Sequence, residues 1–300
     1  MNRILPIVLA VIIPELVAAQ SFFAIRQERT LILTAGTGTS TYYGELSNPG
    51  TIVKLQPNLN VGLMKYLTPR ISARVELNWF ILQGSDKIAN EASRKVRGLS
   101  FRSNCFEISA VGEVSLYANG SRYYRRPPFN FYAFGGVGLL YFNPVSDYNG
   151  KTYSLQPLQT EGVSYSRTAL VIPVGIGMRL KVTPNINLSI EGGYRKTFTD
   201  YLDDVSSKYT APDPSDPVRA YFQNPNNVAY NPAATTDLNT YNAGFKRGNP
   251  SSADSYFLLN AKLEYYLPFN SSGRRKGSGL LKSKRKSTYR YNKRGGVRRK

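Results

Sequence analysis

Histidine is absent from the chain, cysteine occurs once, and no run of 18 or more apolar residues is present. The first absence removes Ser-His-Asp and Cys-His catalysis, imidazole acid–base chemistry and nearly every zinc arrangement. Composition therefore leans against an enzyme, and no catalytic or cofactor-binding residue is assigned. The single Cys105 has no partner for an internal disulfide and reads as a small side chain within a strand. The lack of a long apolar run excludes a membrane-spanning helix. It does not exclude a transmembrane barrel, whose strands show only a weak alternation over about ten residues. Acidic residues are missing from Ser271–Lys300, which hold thirteen of the 39 Lys and Arg, so the net charge of +20 falls to about +7 over the rest. The charge belongs mainly to a tail.

What is present begins with an export signal over residues 1–19: Arg3, the apolar run Ile4–Ile13, and the small residues Val17-Ala18-Ala19 at a cleavage site. Pro6 and Pro14 interrupt the run. Gln20, not cysteine, would follow the cut, which excludes lipoprotein attachment there.

Beyond the signal, apolar residues recur at every second position in segment after segment, the period of a strand with one apolar and one polar face. Leu55–Leu63 and Ile71–Ile81 alternate on either side of the short turn Leu67-Thr68-Pro69-Arg70 and predict a hairpin. Thr30–Thr41, Leu99–Tyr117, Phe129–Phe142, Leu170–Val182, Asn185–Thr197 and Tyr256–Leu267 bring the count to eight strands. Leu99 and Phe101 lie out of frame with Phe106 and Ile108, which predicts a bulge or a loop portion near Asn104. Gln83–Arg97, Asn143–Tyr165 and Lys196–Asp254 read as loops. The glycines of Thr30–Thr41 are strand glycines, since no helix and no Lys-Ser/Thr pair follows them as a phosphate loop needs.

Connections alternate between short and long, the pattern of an outer-membrane barrel with tight turns at one end. The expected fold is all-β: an eight-stranded antiparallel transmembrane β-barrel over residues 20–269, with long extracellular loops and a disordered basic tail over 270–300. Closure satisfies every backbone group in lipid, which an open sheet does not. The 36 Tyr and Phe residues, many near strand ends, suit interfacial girdles. A soluble β-sandwich or a ligand-binding barrel is the alternative, with its apolar residues inside and its polar residues outside.

In the membrane barrel, Arg74, Glu76, Glu107, Glu113, Glu191, Arg195, Lys262 and Glu264 point inward. An eight-stranded interior is just wide enough for side chains to fill, so these charges are expected to pair rather than line a channel. A Glu107/Glu113 acid–base pair and a small-solute porin are the weaker readings. Asp200, Asp203 and Asp204 are weak calcium candidates; their spacing departs from the helix–loop–helix calcium loop and its glycine is missing. Bracing of this acidic stretch by Arg195 and Lys196, or its contact with a partner, is the competing reading.

With eight strands, both termini lie on the short-turn side, the periplasm. The candidate interaction residues there are Arg274, Arg275, Lys276, Lys282, Lys284, Arg285, Lys286, Arg290, Lys293, Arg294, Arg298, Arg299 and Lys300. An acidic protein surface, anionic lipid or an anionic envelope polymer would suit them; the export signal argues against nucleic acid.

At FRSNCFEISAVGE, YAFGGVGLLYFNP, LQPLQTEG, IPVGIGMRLKV and YRKTFTDYLDDVSSKY the sequence resembles the PorG-like outer-membrane β-barrel family associated with type IX secretion. Its most specific stretch is Thr199–Ser206 following Glu191-x-Gly193-x-Arg195-Lys196-Thr197, supported by Phe142-Asn143-Pro144 and Thr160-Glu161-Gly162. The resemblance implies an outer-membrane protein that attaches periplasmic ring components of a secretion apparatus and has no enzymatic activity. The alternatives are a small-solute porin and a barrel enzyme acting on envelope lipid.

Overall fold

The computed structural model describes residues 29–47, 55–120, 122–226 and 243–268. The expected signal over 1–19, the basic tail and part of the longest loop lie outside the described residues. The chain divides into two compact units, Met1–Asn270 and Ser271–Lys300, and the fold is that of the first.

Eight long strands form it: β1 (Leu31–Tyr43), β2 (Gln56–Tyr66), β3 (Ile71–Ser85), β4 (Ser100–Ser115), β5 (Phe129–Tyr141), β8 (Thr168–Lys181), β9 (Ile186–Thr197) and β10 (Ser255–Tyr266). A small hairpin, β6 (Pro144–Tyr148) with β7 (Lys151–Ser154), stands in the β5–β8 loop. Each long strand pairs antiparallel with its neighbours in chain order, β5 meets β8, and β10 closes on β1. The result is a closed eight-stranded barrel with no free edge.

Two-residue periodicity sets the two surfaces. Leu59, Val61 and Leu63 on β2, Val75 and Leu77 on β3, Ile108 on β4, Leu139 on β5, Ile176 on β8 and Leu263 on β10 are exposed on the outside. Polar and ionised residues alternating with them are buried inside. Exposed aromatics mark the strand ends: Tyr117, Phe129 and Phe131 at the short-turn end, Tyr43, Tyr141 and Phe198 at the other. At ~3.3 Å per residue, the eleven residues of β2, the shortest of the eight, reach the 9–11 that a tilted strand needs to cross a bilayer.

Strand β4 corrects one expectation. No bulge occurs: β3 and β4 pair in unbroken register from Ile71↔Val114 to Ser85↔Ser100. The frame of the apolar residues changes because the environment does. From Val114 to Phe106 the outward positions are exposed apolar residues or glycine; beyond them Asn104 and Arg102 face outward, while Phe101, Ser103 and Cys105 turn into the barrel. The strand has left the apolar belt, and its inner face now meets packed protein.

Three expected loops also hold more structure than their composition suggested. β3 continues to Ser85, and Gln83–Arg97 then contains a 3₁₀ turn (Asp86–Ile88) and helix α1 (Ala92–Arg97). Gly98, at φ 70°, ends α1 in the left-handed region that glycine enters without steric cost. Asn143–Tyr165 contains the β6–β7 hairpin, and Lys196–Asp254 contains helix α2 (Pro217–Gln223), capped by Asp216 Oδ1 accepting from the amides of Val218 and Arg219.

Candidate functional site in the barrel interior

The interior is stacked in three layers. At the short-turn end, Arg126 folds inward and closes the barrel floor. Its guanidinium donates to Asn187 Oδ1 (2.6 Å) and to the carbonyls of Tyr123 (2.6 Å), Pro184 (2.7 Å) and Thr183 (2.8 Å), and lies 4.5 Å from the centre of the Tyr266 ring.

The middle layer is ionic. Arg74 on β3 reaches Glu113 (2.8 Å), Glu191 (3.0 Å) and Glu76 (3.7 Å). Arg179 on β8 grips Glu264 (2.6 Å) and Glu113 (3.0 Å) with its plane 4.4 Å from the Tyr132 ring centre. Lys262 bridges Glu76 and Glu191. Arg195 stands 3.8 Å from Glu107, which accepts from the Tyr256 hydroxyl at 2.6 Å. All eight charges expected to face inward are buried here, with Arg179 added. In this layer four cations, Arg74, Arg179, Arg195 and Lys262, meet five carboxylates, and Arg126 adds a fifth buried cation from the floor below. An unpaired charge in such a place is very costly, so near-neutrality is what permits the layer to fold. Glu107 and Glu113 are separately engaged by these cations and hydroxyls.

The third layer, at the long-loop end, is apolar. Phe80 and Tyr256 stack at 4.9 Å beside Leu82, Phe101, Cys105, Leu140 and Leu258 from the strands and Phe142 just past the end of β5. Leu46, Leu99, Leu155, Leu202, Val205 and Phe222 descend on them from four different loops. The loops therefore form a stopper in the mouth, and Thr199–Ser206, the most specific stretch of the sequence, lies within it.

Polar contacts lock this stopper. Arg247 Nη1 donates to Thr160 Oγ1 (2.7 Å) and to the Asp204 carbonyl (2.9 Å), and pairs with Glu161 (3.2 Å). Glu161 accepts from the amides of Ser206 (2.9 Å) and Ser207 (2.8 Å). Asp86 holds both Arg94 (3.1 Å) and Arg97 (2.6 Å).

The three calcium candidates do not converge. Asp204 accepts from Thr160 (2.5 Å) and Tyr165 (2.7 Å), whereas Asp203 turns to Tyr42. Among the described residues, the acids that come together are Asp203, Glu45 and Asp254, with donor atoms within 4.8 Å of one another. Asp200 is not among them. Asp203 and Asp254 each accept from a backbone amide, of Val205 (2.9 Å) and Leu202 (3.0 Å). The Tyr42 hydroxyl lies 2.7 Å from Asp203 Oδ2 and 2.6 Å from Asp254 Oδ1. A phenol has one hydrogen, so one carboxyl must supply a second proton for both contacts to be hydrogen bonds. Burial raises both aspartates well above the ordinary value, in keeping with that proton. A shared proton fits this arrangement better than calcium, which takes six to eight oxygens. Bracing comes from Arg247 rather than from Arg195, which faces Glu107, or Lys196, which is exposed.

A family model described as a domain of unknown function (DUF6089) matches residues 4–226. The chain belongs to that family. No curated protein matches the DUF6089 chain. Among solved structures, Neisserial surface protein A is similar at 10% identity and a TM-score of 0.41, over 79% of this chain and 97% of that one. The N-terminal β-barrel domain of Pseudomonas aeruginosa OprF is similar at 5% identity and a TM-score of 0.36, over 80% and 98%. Ail, the attachment invasion locus protein of Yersinia pestis, is similar at 11% identity and a TM-score of 0.33, over 80% and 100%. The DUF6089 barrel's own surface decides its setting: a girdle of exposed Leu, Val and Ile around a sealed, ionised interior is an integral membrane β-barrel.

Arg179 was legible in the sequence, in the frame opposite Ile172, Val174, Ile176 and Met178; periodicity alone points it inward. Arg126, Glu161, Arg247 and Asp254 lie in turns and loops, where no period exists to place them.

Proposed function

We infer that the protein is an integral outer-membrane anchor for a protein-secretion apparatus of the type IX kind, holding periplasmic ring components at its short-turn end. One observation carries the anchoring reading: the interior is crossed by ion pairs between opposite walls and stoppered at the long-loop end, an arrangement suited to rigidity and not to passage. The secretion-linked part rests on the resemblance at Thr199–Ser206 and its neighbouring motifs. In this reading the short turns and the basic tail from Arg274 to Lys300 meet the partners, and the protein carries out no reaction of its own.

Cross-linking in intact cells, followed by identification of the captured envelope proteins, tests this. Periplasmic ring proteins are expected with the full chain and depleted when Arg274–Lys300 is removed. Capture of no secretion component by the full chain overturns the secretion role, and an unchanged set after truncation removes the tail from it.

A further inference from the structure

The outer wall is not uniformly filled. A groove of about 680 Å³ opens on its lipid-facing side across β4, β5, β8 and β9, close to the short-turn end. Its floor is Ala133, which pairs with Val114 on one side and Ile176 on the other. Leu116, Phe131, Ile176 and Ile190 rise around it. Beside them, Gly112 and Gly135 pair across the ladder, and a Cβ placed on either would meet nothing nearer than 3.8 Å. Small residues in the outward frame thus leave a trough among branched and aromatic ones, with a volume in the range of ligand sites.

One charged residue lines this groove: Arg70. The Thr68 hydroxyl accepts from the amides of Arg70 (3.3 Å) and Ile71 (3.0 Å), and the Arg70 carbonyl accepts from Ser115 (2.7 Å). Its backbone is therefore fixed at the groove's end. The side chain is exposed and forms no ion pair among the described residues. Nothing acidic lies nearby in sequence: residues 67–70, 116–128 and 182–185, the three short turns, contain no Asp or Glu, while Arg122 and Arg125 are exposed among them.

We propose that this groove is a binding site for one anionic phospholipid of the leaflet on the short-turn side, its phosphodiester on Arg70 and an acyl chain along Ala133. The charge pattern selects the occupant: an apolar trough alone accepts any acyl chain, whereas an unpaired guanidinium at the headgroup level favours an anionic lipid. The inference is independent of the secretion role.

Native mass spectrometry of the full-length protein in mild detergent, with added phosphatidylglycerol or phosphatidylcholine, tests it. The wild type is expected to retain one phosphatidylglycerol in preference to phosphatidylcholine. Arg70→Gln should cut that retention about fivefold, the weight of one cation near an anionic surface, and Ala133→Phe, which fills the floor, should abolish it. Both positions face outward, and the heat-dependent gel shift of a folded barrel reports that each variant is intact. Equal retention of the two lipids overturns the proposal. So does phosphatidylglycerol retention unchanged in Arg70→Gln or Ala133→Phe, which would place the lipid on the basic tail or elsewhere on the wall.

Discussion

Arg74 and Glu191 stand on strands β3 and β9, half the barrel's circumference apart by either route round the sheet, and their side chains meet at 3.0 Å. A contact across the full diameter leaves no continuous passage at that level. It also ties opposite walls together, because Glu191 is bridged by Lys262 to Glu76, two residues from Arg74 on β3.

In a planar bilayer the purified protein is therefore expected to stay at baseline conductance in dilute salt. A steady open level in single-channel recordings would contradict the filled interior and favour the small-solute porin instead.

Arg74→Ala should destabilise the barrel by about 3–5 kcal/mol, since removing one member of a buried pair leaves the others uncompensated. Glu113 and Glu191 would lose their shared cation, and Lys262 is already committed to Glu76 and Glu191. Replacing Arg74 by Met together with Glu191 by Gln should cost less than the sum of the two single changes. Urea unfolding of the protein reconstituted in vesicles measures both quantities, and strict additivity would mean that the two residues do not act as a pair.

How much of this was readable in advance depended on whether a period was present. Wherever lipid lies on one side and the interior on the other, alternation gives each side chain its face, and Arg74, Glu76, Glu191 and Lys262 fall into place. Past the belt, the same alternation continues while its meaning reverses, so Phe101 suggested a bulge that the register between β3 and β4 does not contain. The stopper was less legible. Leu46, Leu155, Leu202 and Phe222 are brought together from separate loops by tertiary packing, and Arg247 lies among residues with no repeating pattern.

The stopper should loosen as the solution becomes alkaline. Burial pushes the Asp204 carboxyl up to about 6 and Asp200 up to about 7, and raises Asp203 and Asp254 strongly. The closed loops thus hold protons that an unfolded chain releases near pH 4. Their contribution is complete below that value and is lost as pH rises through 6 and 7. Hydrogen exchange of residues 198–226 should be slower at pH 5 than at pH 8 once intrinsic rates are corrected. Equal protection at the two values would show that these carboxyls are not coupled to closure.

Cys105 supplies a reporter for the same event. It is fully buried beneath the stopper and is the protein's sole thiol. Phe222→Ala removes a large side chain from the packing above it, a change that typically costs about 3–5 kcal/mol. Maleimide labelling at fixed pH should be at least about tenfold faster in the variant, since even 1.4 kcal/mol of that loss shifts an opening equilibrium tenfold. Equal labelling rates would separate the thiol's protection from the loops.

The reversal along β4 yields the sharpest test of where the bilayer ends. Ile108 and Asn104 face outward on the same strand, four residues apart, the first within the exposed apolar belt and the second beyond it. A lysine at 108 must place its ammonium in hydrocarbon, at a cost of about 2–4 kcal/mol near the midplane. A lysine at 104 stays in water and should cost about 0–1 kcal/mol, the interfacial value. Vesicle refolding of Ile108→Lys and Asn104→Lys, followed by denaturant titration, compares the two directly. Equal destabilisation would place both residues in one environment, and the inversion of the pattern would then need a cause other than the edge of the membrane.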